Sequence, residues 1–269
     1  MKTPAGTLAP CAYPQQLAQQ VMAVPDILRA PPGLTIVIPV HNEEANIIPL
    51  VDEIRHHLDG KYDYEVIVVD DHSTDNTESL LRKAVAELPV LRIIRLQRRC
   101  GQSGAVLQGV RAAGYPLIVT LDGDGQNDPA DIAALVACYR QTSSTTPRCL
   151  IIGNRRRRRD SLWRKFSSRI ANSVRGNILR DGTPDSGCGL KAFPRDFFLE
   201  FPAFDHMHRF LPALACQRGG TVVSLDVHHR PRTSGASHYG SLDRLMEGII
   251  DLLGVVWLGH RRIDNEAVK

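Results

Sequence analysis

Three apolar, β-branched runs in the first half of the chain each lead directly into a cluster of acidic side chains. The runs are Leu34–Val40, Tyr64–Asp70 and Leu117–Leu121, and the segments that separate them carry the polar starts and apolar spacing of helices. Strands that alternate with helices predict an α/β fold, with a mostly parallel sheet and helices on both faces. Because the carboxyl ends of parallel strands share one edge, we expect the acidic clusters to converge there, where such sheets bind ligands.

The chain divides into three segments. Residues 1–33 contain six prolines and no continuous apolar run, so we predict a mobile N-terminal arm without a signal peptide. Residues 34–240 form the predicted α/β domain, and residues 241–269 form a C-terminal helix. The helix has an apolar stripe that suits either a core or a membrane interface. No run approaches the roughly 20 apolar residues of a membrane span, and the six cysteines stand singly, as in reduced intracellular proteins.

The segment from Asp122 to Gln126 is the most informative motif. The carboxylates of Asp122 and Asp124 are two positions apart, so they face the same side of an extended segment. Mg²⁺ and Mn²⁺ prefer oxygen ligands, and they commonly bridge protein carboxylates to a diphosphate. Gln126 could add a neutral oxygen. The alternative is an acidic turn that caps the helix predicted to begin at Asp128.

Two further motifs narrow the class of ligand. Asp70 and Asp71 end the second predicted strand, where an acid can accept hydrogen bonds from a base or a ribose. Asp71, Ser73 or Asp75 could instead cap the following helix. Gly101–Gly104 matches neither the dinucleotide fingerprint nor the P-loop, which disfavours a dehydrogenase or an NTPase.

A basic block follows Leu150–Ile152, a further apolar run that predicts a strand. Arg155 to Arg159 are consecutive arginines, and further basic residues follow up to Arg180. The block suits a solvated face, a phosphate site or an anionic membrane surface. Nucleic acid would use the same charges, but the segment has few aromatic residues and no nucleic-acid recognition motif.

Taken in order along the chain, these motifs resemble family 2 glycosyltransferases of the GT-A fold. The later motifs resemble the branch of dolichol- and undecaprenyl-phosphate sugar transferases. The resemblance rests on the segments 38–43, 69–75, 101–105, 121–129, 153–155, 168–169, 185–193, 208–210, 229–232 and 235–239.

The resemblance implies roles for individual residues. Those expected to hold the nucleotide sugar are Pro39, His41, Glu43, Asp70 and Asp122. Those expected to hold the metal and the diphosphate are Asp122, Asp124 and Gln126. Those expected to face the donor or acceptor phosphates are Arg155, Ser168, Arg169 and Arg230. The residues expected to take part in catalysis are Asp122, Asp124 and Asp185, and Asp185 is expected to lie near the transferred sugar.

The resemblance also implies an activity. It is the inverting transfer of a hexose-type sugar from a UDP- or GDP-linked donor to a polyprenyl phosphate, for a cell-envelope glycan or lipid A. Mg²⁺ or Mn²⁺ is the expected cofactor. We expect a cytoplasmic protein that binds peripherally to anionic lipid on the inner face of the cell membrane. The resemblance leaves open whether it also binds an integral membrane partner. The alternatives are transfer to a glycan hydroxyl, and a non-catalytic module that binds anionic lipid or nucleic acid.

Overall fold

The computed structural model describes residues 33–155, 179, 181–231 and 241–261. Within these ranges the strands are β1 Leu34–Val40, β2 Tyr64–Asp70, β3 Leu91–Arg95, β4 Leu117–Thr120, β5 Cys149–Asn154, β6 Lys191–Pro194 and β7 Thr221–Asp226. The helices are α1 Ile47–Leu58, α2 Thr77–Glu87, α3 Gly101–Ala112, α4 Ile132–Ser143, α5 Arg195–Leu199, α6 Leu211–Gln217 and α7 Ser241–His260. Short 3₁₀ turns span Pro129–Asp131 and Met207–Arg209.

The strands form one sheet in the order β3-β2-β1-β4-β6-β5-β7. Strands β3, β2, β1 and β4 are parallel to one another, and β5 is parallel to β7. Strand β6 lies between β4 and β5 and runs antiparallel to both. The predicted α/β fold with a mostly parallel sheet is therefore confirmed.

The sheet is covered on both faces, as the sequence predicted. Successive residues of β2 point to opposite sides: Val66 and Val68 belong to the main hydrophobic core, and Ile67 and Val69 pack in a second cluster with Ala105 of α3. All four β2 side chains are fully buried. Burial of each such side chain stabilises the fold by about 1.5–3 kcal/mol. Because both faces of the central strands are buried, apolar residues occupy successive positions along them.

The loops that follow β1 and β2 are joined to each other. Asn42 adopts a left-handed conformation with φ 56°, and its amide oxygen accepts a hydrogen bond from the backbone N–H of Thr74. The backbone N–H of Asn42 donates to Ser73 Oγ at 3.0 Å. Because Asn42 is left-handed, it cannot belong to a helix, and α1 begins after it, at Ile47.

The C-terminal helix α7 packs against α6. Val255 is fully buried, and Gln217 Nε2 of α6 donates to the Val255 carbonyl at 3.0 Å. Among the helices in the described parts of the chain, none is both long and apolar enough to cross a bilayer. The predicted arm lies outside the described residues, apart from Gly33.

Candidate active site

A cleft of about 290 Å³ opens at the carboxyl edge of the parallel strands. The loops after β1, β2 and β4 and the start of α3 form its walls. Its lining includes five residues that the sequence predicted for the site: Pro39, His41, Glu43, Asp122 and Asp124. The predicted convergence of the acidic clusters is therefore observed.

Asp71 lines the cleft, whereas Asp70 lies outside the lining. Asp70 is fully buried and pairs with Arg95 of β3, with 2.6 Å between Oδ2 and Nη1. Its other oxygen, Oδ1, accepts a hydrogen bond from the backbone N–H of Ser73. Asp70 thus stabilises the loop after β2 from behind, and direct contact of its carboxylate with a nucleotide stays a prediction.

The carboxylate of Asp71 joins the end of β2 to the start of α3. It accepts hydrogen bonds from the backbone N–H groups of Cys100 at 2.6 Å and Gly101 at 2.9 Å. A negative charge at this position satisfies exposed amides and complements the dipole of α3. His41 Nδ1 lies 2.8 Å from the Asp71 carbonyl, and because a carbonyl only accepts, that nitrogen carries the proton. Asp71 therefore orients two walls of the cleft.

Asp122 and Asp124 stand in the turn that follows β4. Gln102 Nε2 of α3 donates to Asp122 Oδ1 at 2.7 Å, and the backbone N–H of Gln126 donates to Asp124 Oδ1 at 3.1 Å. Burial and the neighbouring charge of Asp124 raise the pKa of Asp122 above its ordinary value. Two carboxylates held so close favour a cation between or beside them, because it relieves their mutual repulsion.

Gly189 leaves the space that the Asp122 carboxylate occupies. A Cβ atom on Gly189 would lie 2.2 Å from Asp122 Cγ and Oδ2 and 2.4 Å from Oδ1. The carbonyl of Gly189 accepts a hydrogen bond from Thr120 Oγ1 of β4 at 2.7 Å. The segment before β6 therefore packs directly against the acidic turn.

Asp185 and Arg155 form a bidentate ion pair beside this turn. Arg155 Nε donates to Asp185 Oδ2 at 2.6 Å, and Nη2 donates to Oδ1 at 2.8 Å. Although burial opposes the shift, the hydrogen bond and charge of Asp185 raise the pKa of Arg155. The predicted sugar-binding acid and the predicted phosphate-binding arginine thus neutralise each other.

Lys191, whose charge acts on Asp122, and His208, which contacts α3, were not predicted. Lys191 of β6 donates to the Cys188 carbonyl; burial lowers its pKa, and the charges of Cys188, Asp122 and Asp185 oppose that shift. His208 Nδ1 lies 2.7 Å from Ser103 Oγ, and burial and the charge of Lys191 hold its pKa well below 6.5. The only sequence signal was their position in segments 185–193 and 208–210.

Arg230 stands apart from the cleft lining. Its guanidinium pairs with Glu53 of α1, at 2.6 Å, and with Asp128, at 2.8 Å. Its backbone N–H donates to the carbonyl of Gln126 at 2.9 Å. The residue therefore fastens the segment after β7 to the acidic turn, and a phosphate contact by Arg230 stays a prediction. Ser168 and Arg169 lie outside the described residues.

The acidic turn offers a partial set of metal ligands. Asp122 and Asp124 supply carboxylate oxygens on one wall of the cleft. Among the described residues, no group of three or more His, Cys, Asp or Glu side chains is arranged to hold a metal ion. Mg²⁺ is usually held by one or two carboxylates together with substrate phosphates and water. The residues present therefore fit a cation whose remaining ligands come from a bound diphosphate and solvent.

Comparison with known proteins places this site in a family. The sequence profile of Glycosyl transferase family 2 matches residues 35–201, more than half of the chain. The chain is 37% identical over 232 residues to the dodecaprenyl-phosphate galacturonate synthase of Rhizobium johnstonii, covering 83% of this chain and 66% of the relative. It is 33% identical over 224 residues to the undecaprenyl-phosphate 4-deoxy-4-formamido-L-arabinose transferase of Proteus mirabilis, covering 82% and 66%. The chain thus spans just under two thirds of these relatives.

The fold is also similar to that of solved glycosyltransferase structures. The glucosyl-3-phosphoglycerate synthase of Mycobacterium tuberculosis, solved with Mn²⁺, UDP-glucose and phosphoglyceric acid, superposes with a TM-score of 0.59 at 21% identity. The match covers 87% of this chain and 81% of that structure. The fold is that of a GT-A glycosyltransferase. The chain belongs to glycosyl transferase family 2.

Proposed function

We propose that the chain is an inverting glycosyltransferase that moves a sugar from a nucleotide diphosphate sugar to a polyprenyl phosphate. The observation that carries the proposal is the acid-lined cleft, in which Asp122 and Asp124 stand at the carboxyl end of β4. The names of the relatives support the acceptor, since both contain a polyprenyl phosphate. Modification of the cell envelope or of lipid A is the setting we infer.

We assign the nucleotide and the diphosphate of the donor to two walls of the cleft. Pro39, His41 and Glu43 form the wall contributed by the loop after β1, where the nucleotide would lie. Asp122 and Asp124, with Gln126 nearby, would hold Mg²⁺ or Mn²⁺ against the diphosphate. Such a cation, when bound, neutralises the negative charge that develops on the leaving diphosphate.

The pairing of Asp185 favours a phosphate acceptor over a hydroxyl acceptor. A hydroxyl needs a general base, and both oxygens of Asp185 already accept hydrogen bonds from Arg155. A carboxylate bound in this way is a weak proton acceptor. A lipid phosphate has a second pKa of about 6, so it is anionic near neutral pH and needs no strong base. Asp185 then orients Arg155 and the sugar.

We further propose that the protein attaches peripherally to the inner face of the cell membrane. Four of the exposed large apolar side chains lie on α7: Ile249, Ile250, Leu253 and Trp257. Asp251 on the same helix instead turns inward, where its Oδ2 lies 2.9 Å from His206 Nδ1. The arginine block that would add electrostatic attraction, from Arg156 to Arg159, lies outside the described residues.

A transfer assay tests the proposed reaction. The purified chain is incubated with a panel of UDP- and GDP-linked sugars, with Mg²⁺ or Mn²⁺, and with undecaprenyl or dolichyl phosphate. Parallel reactions offer free sugars and glycans as acceptors. We expect a glycolipid that forms only with the lipid phosphate and disappears with EDTA. Transfer to a glycan hydroxyl and none to lipid phosphate would overturn the proposed acceptor.

A further inference from the structure

We propose that Arg99 binds the diphosphate of the donor in the candidate cleft, an inference that rests on the proposed function. Arg99 precedes α3, its side chain is exposed, and it contributes to the cleft lining. None of the motifs recognised in the sequence gave it a role. The case rests on the charges around the cleft and on which of them are already engaged.

The cleft is strongly acidic without a ligand. Its lining includes the carboxylates of Glu43, Asp71, Asp122 and Asp124. A nucleoside diphosphate is an anion that these carboxylates repel, so binding requires compensating positive charge. A cation at Asp122 and Asp124 supplies part of it, and a second positive group on the facing wall would hold the phosphate oxygens from the other side.

Several hydrogen-bond donors and cationic side chains near this edge already have partners, and the neighbouring Arg98 is exposed but does not contribute to the cleft lining. The backbone N–H groups of Cys100 and Gly101, at the positive end of α3, donate to Asp71. Arg95 pairs with Asp70 and with Glu78, each at 2.6 Å.

The two described arginines for which the sequence predicted a phosphate role are engaged as well. Arg155 is bound to Asp185, and Arg230 is bound to Glu53 and Asp128.

Arg99 differs from these groups. In the described part of the chain it has no ion-pair partner, and it faces the cleft. A guanidinium group offers two parallel N–H donors that match phosphate oxygens, and it stays charged at any pH of interest. Because the side chain is exposed, replacing it leaves the hydrophobic core intact.

Calorimetry with uridine, UMP and UDP, and with the corresponding guanosine compounds, separates a contact with the diphosphate from a general effect on nucleotide binding. In the presence of Mn²⁺, Arg99→Ala should weaken binding of the nucleoside diphosphate about tenfold to a hundredfold and leave nucleoside binding unchanged. Arg99→Lys should lie between the two, because it keeps the charge but loses the paired donors. Arg111→Ala is the matched control: it removes the same charge from an exposed site in the last turn of α3, about 15 Å from the start of that helix.

The outcomes separate this inference from the proposed function. If the wild-type protein binds no nucleoside diphosphate, the proposed function fails. If it binds one and Arg99→Ala binds equally well, only the role of Arg99 is overturned. A comparison of UDP-galacturonate with UDP-galactose adds a second arm: an equal loss for both supports diphosphate binding. A loss confined to the uronate donor would overturn it and place the sugar carboxylate on Arg99.

Discussion

Gly189 shows how one residue controls the geometry of the acidic turn. A methyl group at this position would overlap the Asp122 carboxylate, whose Cγ lies 2.2 Å from the Cβ position. The carboxylate must then rotate away from the place where it accepts a hydrogen bond from Gln102 and interacts with the charge of Asp124. We expect Gly189→Ala to weaken metal-dependent nucleotide binding by tenfold or more, with an overpacking cost of about 1–3 kcal/mol in stability.

Calorimetry with Mn²⁺ and a nucleoside diphosphate measures the effect of Gly189→Ala on binding. Gly187→Ala is the control, because its Cβ would make only ordinary contacts, 3.5 Å from Arg155 Nη2 and 3.8 Å from Asp185 Oδ1. Equal affinity of the Gly189→Ala and wild-type proteins would show that the position of the Asp122 carboxylate does not matter for the ligand.

Asp124 tests the metal site itself. Its side chain is partly exposed in the turn after β4, so the fold does not depend on it. We expect Asp124→Ala to abolish metal-dependent binding of a nucleoside diphosphate and to leave the melting temperature nearly unchanged. Asp124→Asn separates charge from hydrogen bonding, since the amide oxygen can still accept from the Gln126 N–H. Unchanged affinity in a well-folded Asp124→Ala protein would contradict the assignment.

At the residue scale, the sequence predicted most of the acidic residues that line the cleft, but it did not predict the ion-pair partners of the nearby arginines. Asp122 and Asp124 were identified because a D-x-D triplet after a strand is a local pattern. The choice between Asp70 and Asp71 depends on which side of a strand end each faces, and neighbouring residues face opposite sides. The partner of Arg155 lies 30 residues away in sequence, so no local pattern reveals it.

At the element scale, the unpredicted strand is β6. It has four residues, follows a glycine-rich segment and ends at Pro194. Sequence periodicity needs a longer run to show itself. The strand exists because it fills the space between β4 and β5, a tertiary effect, and it brings Lys191 beneath the acidic turn. Strands β1 and β2 were predictable because each is a run of seven mostly apolar residues, and β4, although as short as β6, is a fully buried run that leads directly into the acidic turn.

Asp128 joins the turn before α4 to the segment after β7, and this leads to a prediction about the stability of the protein. Its side chain accepts a hydrogen bond from the Ala130 N–H, capping the turn that leads into α4, and it pairs with Arg230. We expect Asp128→Ala to lower the free energy of unfolding by about 1–2 kcal/mol at pH 7, the sum of a lost cap and a partly exposed ion pair. Urea denaturation measures the difference.

The effect of Asp128→Ala should depend on pH. Although burial opposes the shift, hydrogen bonds from Ala130 and Arg230 lower the pKa of Asp128. A lowered pKa means that the stabilisation is present above the ordinary value of about 3.9 and is lost as the pH falls through the folded-state value. The difference between the two proteins should therefore shrink below about pH 4. Asp52→Ala, which breaks an exposed contact of 3.6 Å with Arg55, should change little at either pH.

At the scale of the whole molecule, the proposed membrane attachment predicts a dependence on salt. The basic run outside the described residues, Arg156–Arg159 with Arg164 and Lys165, would attract anionic lipid. Raising the salt from 0.1 M to 1 M shortens the Debye length from about 10 Å to about 3 Å, so binding to anionic liposomes should weaken. Co-sedimentation measures it. Binding that ignores both salt and reversal of these charges would contradict the electrostatic part.

In the proposed attachment, helix α7 would supply the apolar part. Ile250, Leu253 and Trp257 are 64%, 63% and 60% exposed on one face of the helix. His260 and Arg261 follow on the same side, at the end of the helix. An apolar face that contains tryptophan and ends in basic residues suits the interface of an anionic bilayer.

The double substitution Leu253→Gln with Trp257→Gln should lower partitioning into anionic liposomes at least tenfold at 1 M salt, where the electrostatic part is screened. The physical reason is that each side chain loses on the order of 1–2 kcal/mol of apolar burial in the bilayer interface. Val85→Gln is the matched control, because Val85 is 38% exposed on α2 and should contribute nothing to membrane binding.

Sedimentation velocity of the same proteins without lipid tests whether a second copy of the chain binds this face instead. A wild-type dimer that the double substitution dissociates, together with unchanged liposome binding, would assign α7 to a contact between two copies of the chain and refute its role at the membrane.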